Sequence, residues 1–467
     1  MKMAFYTSRN ICYTIYINKR GFVMKIYLVG GAVRDEILGI PSNDKDYVVV
    51  GSSPEEMKSF GFEQVGKDFP VFLHPETKDE YALARTERKS GQKHTDFEFD
   101  WGSSITLEDD LLRRDLTINA IAKSKDGDYI DPYGGIKDIE NKILRHVSDS
   151  FKDDPLRILR VARFAAKNPD FKIAEETKEF MVNMVKNGEL NHLTPERVWK
   201  EMEKALVSEE PANFIDALDQ VGALEIVLPE IKAMQGVPQR SDYHAEGDVY
   251  IHNQMVLREA TKLTQSMDKD EKGLIRFAAL CHDFGKTKTP EDYLYNEDGT
   301  VKGSHFGHEK RELVEPMLNK FCERLKIPNK YKKIALDVAV HHQRLHGIKN
   351  STAKKITKML NEISPSQKAD KRGGDHYLNM MIIACEADAY GRFNMGPDKK
   401  ISKPPREYPQ GDILRESYKA YQNIKESLSD WMRTYEERNE KKPDGELIKL
   451  KVHEARVSSI KNKMKNF

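Results

Sequence analysis

A short apolar run that ends in two glycines and then turns helical can be accommodated by few folds. Such a run is Lys25-Ile26-Tyr27-Leu28-Val29-Gly30-Gly31, continued by Ala32-Val33-Arg34-Asp35. A strand that passes through Gly-Gly into a helix leaves backbone N–H groups free to cradle phosphate around Gly31, with Arg34 one turn in as a fork-shaped donor. A second strand follows within a dozen or so residues, opened by Asn43-Asp44-Lys45-Asp46-Tyr47. Asp44 and Asp46 are two apart, so both carboxylates emerge on one face. Two carboxylates so placed can hold a pair of Mg²⁺ ions about 3.5–4 Å apart, the arrangement for in-line phosphoryl transfer. Gly-Gly alone is usually a turn and Asp-x-Asp alone a solvated loop; their succession is what points to catalysis.

Ile26–Val29, Tyr47–Val50, Val71–Leu73 and Tyr81–Ala84 read as strands, whereas from about residue 151 the chain is a series of amphipathic helices such as 156–164. The reading is an α+β chain: a head with a small mixed β-sheet, followed by all-α neck, histidine-rich and tail regions. Residues 1–23 read as a mildly basic, disordered extension, since Met24 directly precedes the first strand. Residues 24–150 form the head, 151–237 a helical neck, 238–400 a histidine-rich domain and 401–467 a charged helical tail. At 467 residues the chain has room for about three cores. With 76 basic and 75 acidic residues, net charge gives no sign of a nucleic-acid partner, so a local patch must hold one. The four cysteines are scattered without a CxxC pair, which excludes a zinc ribbon or a disulfide scaffold and suits the cytoplasm. No run reaches the roughly 18 apolar residues of a membrane span.

Four more segments carry a specific resemblance. They are Leu107–Ala120, containing Arg113-Arg114-Asp115; Asp131–Asp138; Asp153-Asp154-Pro155-Leu156-Arg157; and Pro195–Glu201. With the Gly-Gly and Asp-x-Asp stretch, they follow the order of motifs in the class II tRNA CCA-adding enzymes and their poly(A) polymerase relatives. The chain resembles the bacterial members with a fused HD phosphohydrolase domain. The resemblance implies that Arg114 binds nucleotide, that 131–138 is a hinge, that 153–157 templates the incoming base and that 195–201 braces it. It also likens Thr86–Trp101 to a flexible loop that reorganises between C and A addition. Asp153 stands where the family usually has Glu. Glu80 stands where a third carboxylate would complete the metal site, or is an exposed strand-edge residue.

The template stretch also has a physical reading. Asp154 and Arg157 are three apart, one helical turn, and so share a face. A carboxylate accepts from the exocyclic amine of cytosine or adenine, and a guanidinium donates to the adjacent ring nitrogen or carbonyl oxygen. One Asp/Arg pair thus fits C and A and rejects G and U, each bidentate contact being worth about 1–3 kcal/mol by analogy with groove readout. Arg160 and Arg163 continue on the same side as holders of the triphosphate.

Downstream, His252, then Cys281-His282-Asp283, His305, His308, His341-His342 and Asp388 follow in order. Adjacent His-Asp on an otherwise apolar helix places two ligands inside a core. Imidazole plus carboxylate suits Mn, Ni, Fe or Mg. The order resembles an HD phosphohydrolase, with His252, His282, Asp283 and Asp388 as the ligands of one metal and His308 and His342 as second-site candidates.

The resemblance implies addition of C, C and A to tRNA 3′ ends from CTP and ATP with Mg²⁺. The HD site, with Ni²⁺ or another divalent transition metal, would add 2′,3′-cyclic phosphodiesterase, 2′-nucleotidase and phosphatase activity in end repair. Alternatives are a poly(A) polymerase, or an HD metallophosphohydrolase whose head only binds nucleotides. The expected partners are tRNA, CTP and ATP, without a membrane, for a monomer or homodimer.

Overall fold

The computed structural model describes residues 4–8, 11–15, 24–42, 45–65, 71–89, 97–100, 105–396, 400–465 and 467. The chain adopts the α+β architecture expected from its sequence, divided between two compact units. One comprises Met1–Glu201 and Asn213–Ile226, the other Met202–Ala212 and Val227–Phe467. Among the described residues, no helix is long and apolar enough to cross a membrane.

The extension expected to be disordered contains two antiparallel strands, β1 (Ala4–Ser8) and β2 (Ile11–Ile15). Their content of aromatic and β-branched residues favours extended backbone.

The first unit continues with β3 (Lys25–Val29), α1 (Gly31–Ile37), β4 (Asp46–Val50), α2 (Pro54–Ser59), β5 (Glu63–Val65), β6 (Val71–Leu73) and β7 (Glu80–Leu83). The pair β8 (Thr86–Lys89) and β9 (Phe97–Asp100) gives part of the stretch read as an aperiodic loop a defined antiparallel ladder; residues 90–96 and 101 lie outside the described residues. After α3 (Leu107–Leu112) come β10 (Ala122–Lys123) and β11 (Tyr129–Ile130). The main sheet has seven strands in the order β11-β10-β3-β4-β7-β6-β5. Only the β4–β7 pairing is parallel. As a central strand, β4 buries Tyr47, Val48 and Val49 in succession, which is why its sequence is an unbroken apolar run after Asp46. Thr106 and Asp109 close a reciprocal cap that starts α3 beside the sheet.

Helices α4 (Gly135–Glu140), α5 (Leu156–Lys167), α6 (Glu175–Lys186), α7 (Pro195–Leu206) and α8 (Ala212–Gln220) follow. The all-helical reading of this stretch is qualified by one short parallel pair, Ile143–Leu144 with Lys172–Ile173.

The second unit is built around the helix Lys269–Cys281, which buries every residue from Gly273 to Cys281. It packs on Val249–Leu263, Asn329–His346 and Gly374–Tyr390. Small residues at Ala260, Ala279 and Ala387 sit at the shared centre. Helices Ala353–Ala369, Pro409–Gln422, Lys425–Asn439 and Gly445–Met464 complete the unit. A strand pair, Asn394–Met395 with Ile401–Ser402, straddles the boundary drawn at residue 400.

Candidate functional site

In the first unit, Gly30 joins β3 to α1 with φ +69°, and a Cβ there would sit 2.8 Å from an Arg114 guanidinium nitrogen. The left-handed backbone favours glycine here, and any larger residue would also displace the Arg114 side chain. On the next strand Asp46 is exposed at the start of β4, as register partner of Val29 on β3 and of Glu80 on β7. Glu80 is exposed too. Register partners on adjacent strands project to the same face, so two carboxylates stand side by side. The next pair along, Tyr47 and Tyr81, stacks with ring centroids 4.5 Å apart. Asp44 lies outside the described residues.

Basic residues crowd this unit. Arg114 pairs with Asp110 at 3.2 Å, and Arg113 with the same carboxylate at 2.6 Å. Burial pushes the Asp110 carboxyl up, but the charges of Arg113 and Arg114 outweigh it and hold it below its ordinary range. Arg160 pairs with Asp115 at 2.7 Å. Asp115 also accepts from Asn119 at 2.9 Å, and despite its burial is held well below the usual carboxylate range by Arg160 and Asn119. Arg163 pairs with Glu201 at 2.5 Å, while Lys167 reaches Asp35 at 3.1 Å. Burial draws the Lys167 ammonium down. Phe164 carries the guanidinium groups of Arg34 and Arg163 at 5.0 and 4.3 Å from its ring centre. Arg34 itself is buried and pairs with Asp35 at 2.7 Å. Gly31 opens α1 beside it, where a Cβ would lie 3.6 Å from the Arg34 guanidinium.

Asp154 and Arg157 do not share a helix face. Asp154 is extended, with φ −127° and ψ 105°, and α5 begins beyond it at Leu156. The reason is Pro155, whose ring disfavours helical backbone in the residue before it. The Asp154 carboxylate accepts from the Leu156 N–H at 3.1 Å and from Arg197 at 2.6 Å. Arg157, also buried, donates instead to the carbonyls of Ser150 and Arg113.

In the second unit the histidines and aspartates converge. His252 Nε2 lies 3.1 Å from Asp388 Oδ1 and 3.7 Å from Asp283 Oδ2. His282 Nε2 lies 3.1 Å from that Asp283 oxygen and 3.6 Å from Asp388. On the other side of Asp283, Oδ1 is 3.3 Å from His308 Nε2 and 3.7 Å from His342 Nε2. Among these six residues two groups with metal-ligand spacing result, His252/His282/Asp388 and Asp283/His308/His342, and Asp283 reaches both; a third, His244/Glu246/His252, shares His252. All six side chains are buried. Gly285 makes this closure possible, because a Cβ there would collide with the His308 carbonyl oxygen at 1.9 Å.

The protonation pattern is set by the backbone. His282, His308 and His342 each direct Nδ1 at a carbonyl three residues earlier, those of Ala279, His305 and Ala339, at 2.7, 2.7 and 2.9 Å. A carbonyl only accepts, so Nδ1 carries a hydrogen in each, and in the neutral ring Nε2 then presents its lone pair to the centre. The Nε2 atoms of His308 and His342 face each other across 3.1 Å, an arrangement satisfied by a proton shared between them or by a metal ion. Neither His282 Nε2 nor either Asp283 oxygen has an aligned hydrogen bond, despite the short separations. Burial alone would push the His282 imidazole down, but Asp283 and Asp388 outweigh it and lift its pKa to about 9. His342, without that excess, is pushed well below its ordinary value by burial. The potential that draws a proton onto His282 would equally draw a metal ion.

Sequence reasoning did not find several neighbours. His346 Nε2 lies 2.7 Å from Asp388 Oδ2; its signal was the spacing of four from His342, one helical turn. Lys286 Nζ is buried 2.7 Å from Asp283 and donates to Gln239 at 2.7 Å. Glu246 Oε1 stands 3.1 Å from His252 Nδ1. In contrast, His341 turns toward Glu362 at 3.7 Å, and His305 toward Thr289 and the Pro238 carbonyl. Neither joins the cluster.

Comparison with known proteins matches the chain to three family models. They are the poly(A) polymerase head domain over residues 26–145, the probable RNA and SrmB-binding site of polymerase A over 170–235, and the HD domain over 249–391. Over 404 residues the chain is 47% identical to the multifunctional CCA proteins of Acinetobacter baumannii strains ATCC 17978 and AYE, which covers 86% of this chain and 91% of theirs. Among solved structures, a CCA-adding enzyme in apo form II superposes with TM-score 0.60 at 19% identity, over 95% of this chain and 91% of that one. A CCA-adding enzyme complexed with CTP gives 0.56 at 21%, over 94% and 87%. At these identities the structures speak for the fold alone.

Proposed function

The chain belongs to the family of multifunctional CCA proteins, and we propose that it adds C, C and A to the 3′ end of tRNA from CTP and ATP, releasing pyrophosphate. It is a nucleotidyltransferase that also carries an HD domain. The observation that carries the transferase reading is the register of Asp46 with Glu80 at the edge of the Gly30 turn. Asp46 and Asp44 are the proposed Mg²⁺ ligands, with Glu80 beside them. Exposed carboxylates on a rigid strand pair suit that hard ion. When bound, Mg²⁺ supplies acidification of the tRNA hydroxyl and charge neutralisation at the leaving pyrophosphate. Gly31, Arg114, Arg160 and Arg163 form the proposed nucleotide site, with Asp154 at the incoming base and Arg34 and Arg157 supporting it. In that reading Arg160 and Arg163 exchange their carboxylate partners for phosphate, while Arg34 and Arg157 act from within by holding α1 and the 150–157 turn in place.

The second proposed activity is hydrolysis of 2′,3′-cyclic phosphates and phosphomonoesters in the HD unit, in repair of tRNA ends. The proposed ligands are His252, His282, Asp283 and Asp388, with His308 and His342 completing a second position. Their converging ring nitrogens and the Asp283 carboxylate, which lacks an aligned hydrogen bond, fit a divalent transition metal such as Ni²⁺. When bound, the metal supplies Lewis acidity and an activated water. The chain's own residues fix the imidazole tautomers, exclude bulk water and place Lys286 as a cation beside Asp283.

Incubating the protein with tRNA lacking its terminal CCA, CTP and ATP, then sequencing the product ends, tests the first activity. Homopolymeric A tails without C would instead favour poly(A) synthesis.

A further inference from the structure

Helix α5 carries three cations on one face. Arg160, Arg163 and Lys167 follow at spacings of three and four, which places them within an arc of roughly 60°. Each meets a carboxylate from another part of the first unit: Asp115, Glu201 of α7 and Asp35 of α1, respectively. Arg34, Arg160 and Arg163 also surround the Phe164 ring, 5.0, 6.0 and 4.3 Å from its centre. With Lys167 included, four cations face the three carboxylates Asp35, Asp115 and Glu201. That surplus positive charge attracts an anion.

The three ion pairs are not alike. Arg160 and Arg163 approach their carboxylates at 2.7 and 2.5 Å, whereas Lys167 stays 3.2 and 3.1 Å from the two Asp35 oxygens. A tight ion-pair hydrogen bond measures about 2.7–2.9 Å, so the lysine is the loosely held member. Nor does Asp35 depend on it. Arg34 donates to Asp35 Oδ1 from Nε at 2.9 Å and from Nη2 at 2.7 Å. If Lys167 leaves, the buried carboxylate keeps that guanidinium. The lysine side chain is also 33% exposed, and its charge rides on a flexible four-carbon stem. Burial and the nearby Arg34 charge pull its ammonium down, and a phosphate beside it would offset both.

Position along α5 selects which phosphate. Asp154, at the proposed base site, precedes the helix, and Arg160, Arg163 and Lys167 follow in that order. At 1.5 Å per residue, Lys167 lies about 10 Å beyond Arg160 along the axis. The cation farthest from the base is placed for the phosphate farthest from the base. Lys167 lies outside every segment that carries the sequence resemblance.

We propose that Lys167 is the terminal-phosphate contact of the nucleotide site: it leaves Asp35 for the γ-phosphate of CTP or ATP, while Asp35 stays paired with Arg34. The proposal deepens the nucleotidyltransferase reading above, on which it rests, by adding a residue that tells a triphosphate from a diphosphate. When pyrophosphate departs, the ammonium returns to Asp35.

The test uses the full chain. CTP and CDP, with Mg²⁺ and without tRNA, are titrated calorimetrically into the wild type, Lys167→Gln and Lys167→Arg. Single-turnover C addition to tRNA lacking its CCA end is followed in parallel over a CTP series. The wild type should bind CTP about tenfold or more tighter than CDP, the scale of one charge-assisted hydrogen bond. Lys167→Gln should weaken CTP by about that factor and leave CDP within about twofold. The CTP concentration for half-maximal rate should rise in step. Lys167→Arg keeps a cation within reach of Asp35 and of phosphate, and should retain the preference for CTP. The ratio of the two affinities within one preparation does not depend on a change in stability, which a thermal melt of each variant records. Equal weakening of CTP and CDP in Lys167→Gln would confine the lysine to bracing Asp35 and Arg34, and so overturns the contact. Unchanged affinities in that variant, or a wild type that binds CTP and CDP equally, overturn it too. A wild type with the expected preference that transfers neither C nor A leaves the contact in place and overturns the transferase reading instead.

Discussion

Asp46 on β4 and Glu80 on β7 are register partners in the one parallel pairing of the head sheet, directly before the stacked rings of Tyr47 and Tyr81. The tyrosine stack fixes the strand register, and the register sets the spacing of the carboxylates.

Asp46→Ala should therefore abolish C and A addition alike, by at least about 100-fold in kcat, with tRNA binding retained. Glu80→Gln should slow both additions by a smaller factor and raise the Mg²⁺ concentration needed for half-maximal rate. Single-turnover incorporation of each nucleotide over a Mg²⁺ series measures this. Loss of only one addition would make these residues base selectors, and an unaltered Mg²⁺ requirement in Glu80→Gln would return Glu80 to an ordinary strand edge.

Much of this was legible in the sequence because strand composition and turn chemistry are local. The Ile26–Val29 and Tyr47–Val50 runs each lengthen by one residue in the structure. What was not legible depends on one neighbouring residue or on distant packing. Pro155 keeps Asp154 out of α5, a constraint that spacing alone overlooks. Arg157 seemed free to read a base, yet its carbonyl partners come from Ser150 and Arg113. In the HD unit the His-Asp pair stood out against an apolar helix. Adjacent His341 and His342 could not be told apart until the helix showed which one faces inward.

The geometry of the 150–157 turn changes what its variants should do. Asp154→Asn keeps the helix start but loses charge toward Arg197, and should raise UTP or GTP misincorporation relative to CTP. Arg157→Ala strands two carbonyls, one of them in the 150–154 turn, at a cost of about 1–3 kcal/mol each. It should lower the melting temperature and slow all nucleotides together. Fidelity assays alongside thermal melts separate the two, and a selectivity change in Arg157→Ala at unchanged stability would restore a direct base contact.

Stability at acid pH should depend on the buried pair of Asp115 and Arg160. Since the folded carboxyl is held below its unfolded value of about 3.9, its contribution is fully present above that pH. It is lost as pH falls through the lower folded value. Melting temperature plotted from pH 7 to pH 2 should fall steeply at the acid end for the wild type. Asp115→Asn should start lower at neutral pH and show a flatter acid limb; parallel curves would mean the pair is energetically silent.

Glu246 stands behind His252 as a carboxylate behind a ligand imidazole, 3.1 Å from Nδ1. Partners in that position typically tune metal affinity by about 10–100-fold. Glu246→Gln should weaken Ni²⁺ binding to the full chain within that range, read by calorimetry, with little change in melting temperature without metal. Unchanged affinity would confine Glu246 to its contacts with His244 and the Phe393 N–H.

The two activities should be separable, because their residues lie in different compact units, Asp46 and Glu80 in the first and all six histidine and aspartate candidates in the second. The choice of variant matters. Asp283→Ala would leave Lys286 buried without its carboxylate, a change that costs about 3–5 kcal/mol in comparable buried pairs. Asp283→Asn keeps an acceptor for Lys286 while removing the charge that reaches both ligand groups, and His282→Ala removes one lone pair. Both variants should lose hydrolysis of 2′,3′-cyclic phosphate and bind Ni²⁺ at least about tenfold more weakly. CCA addition in Mg²⁺ should stay within about twofold of wild type, since neither change touches the Gly30 turn or the Asp46–Glu80 pair. If instead the cluster only ties helices together, both activities would decline in step with melting temperature, and no divalent ion would stimulate hydrolysis in the wild type. Measuring both reactions, metal affinity and the melt on one preparation of Asp283→Asn decides between these outcomes.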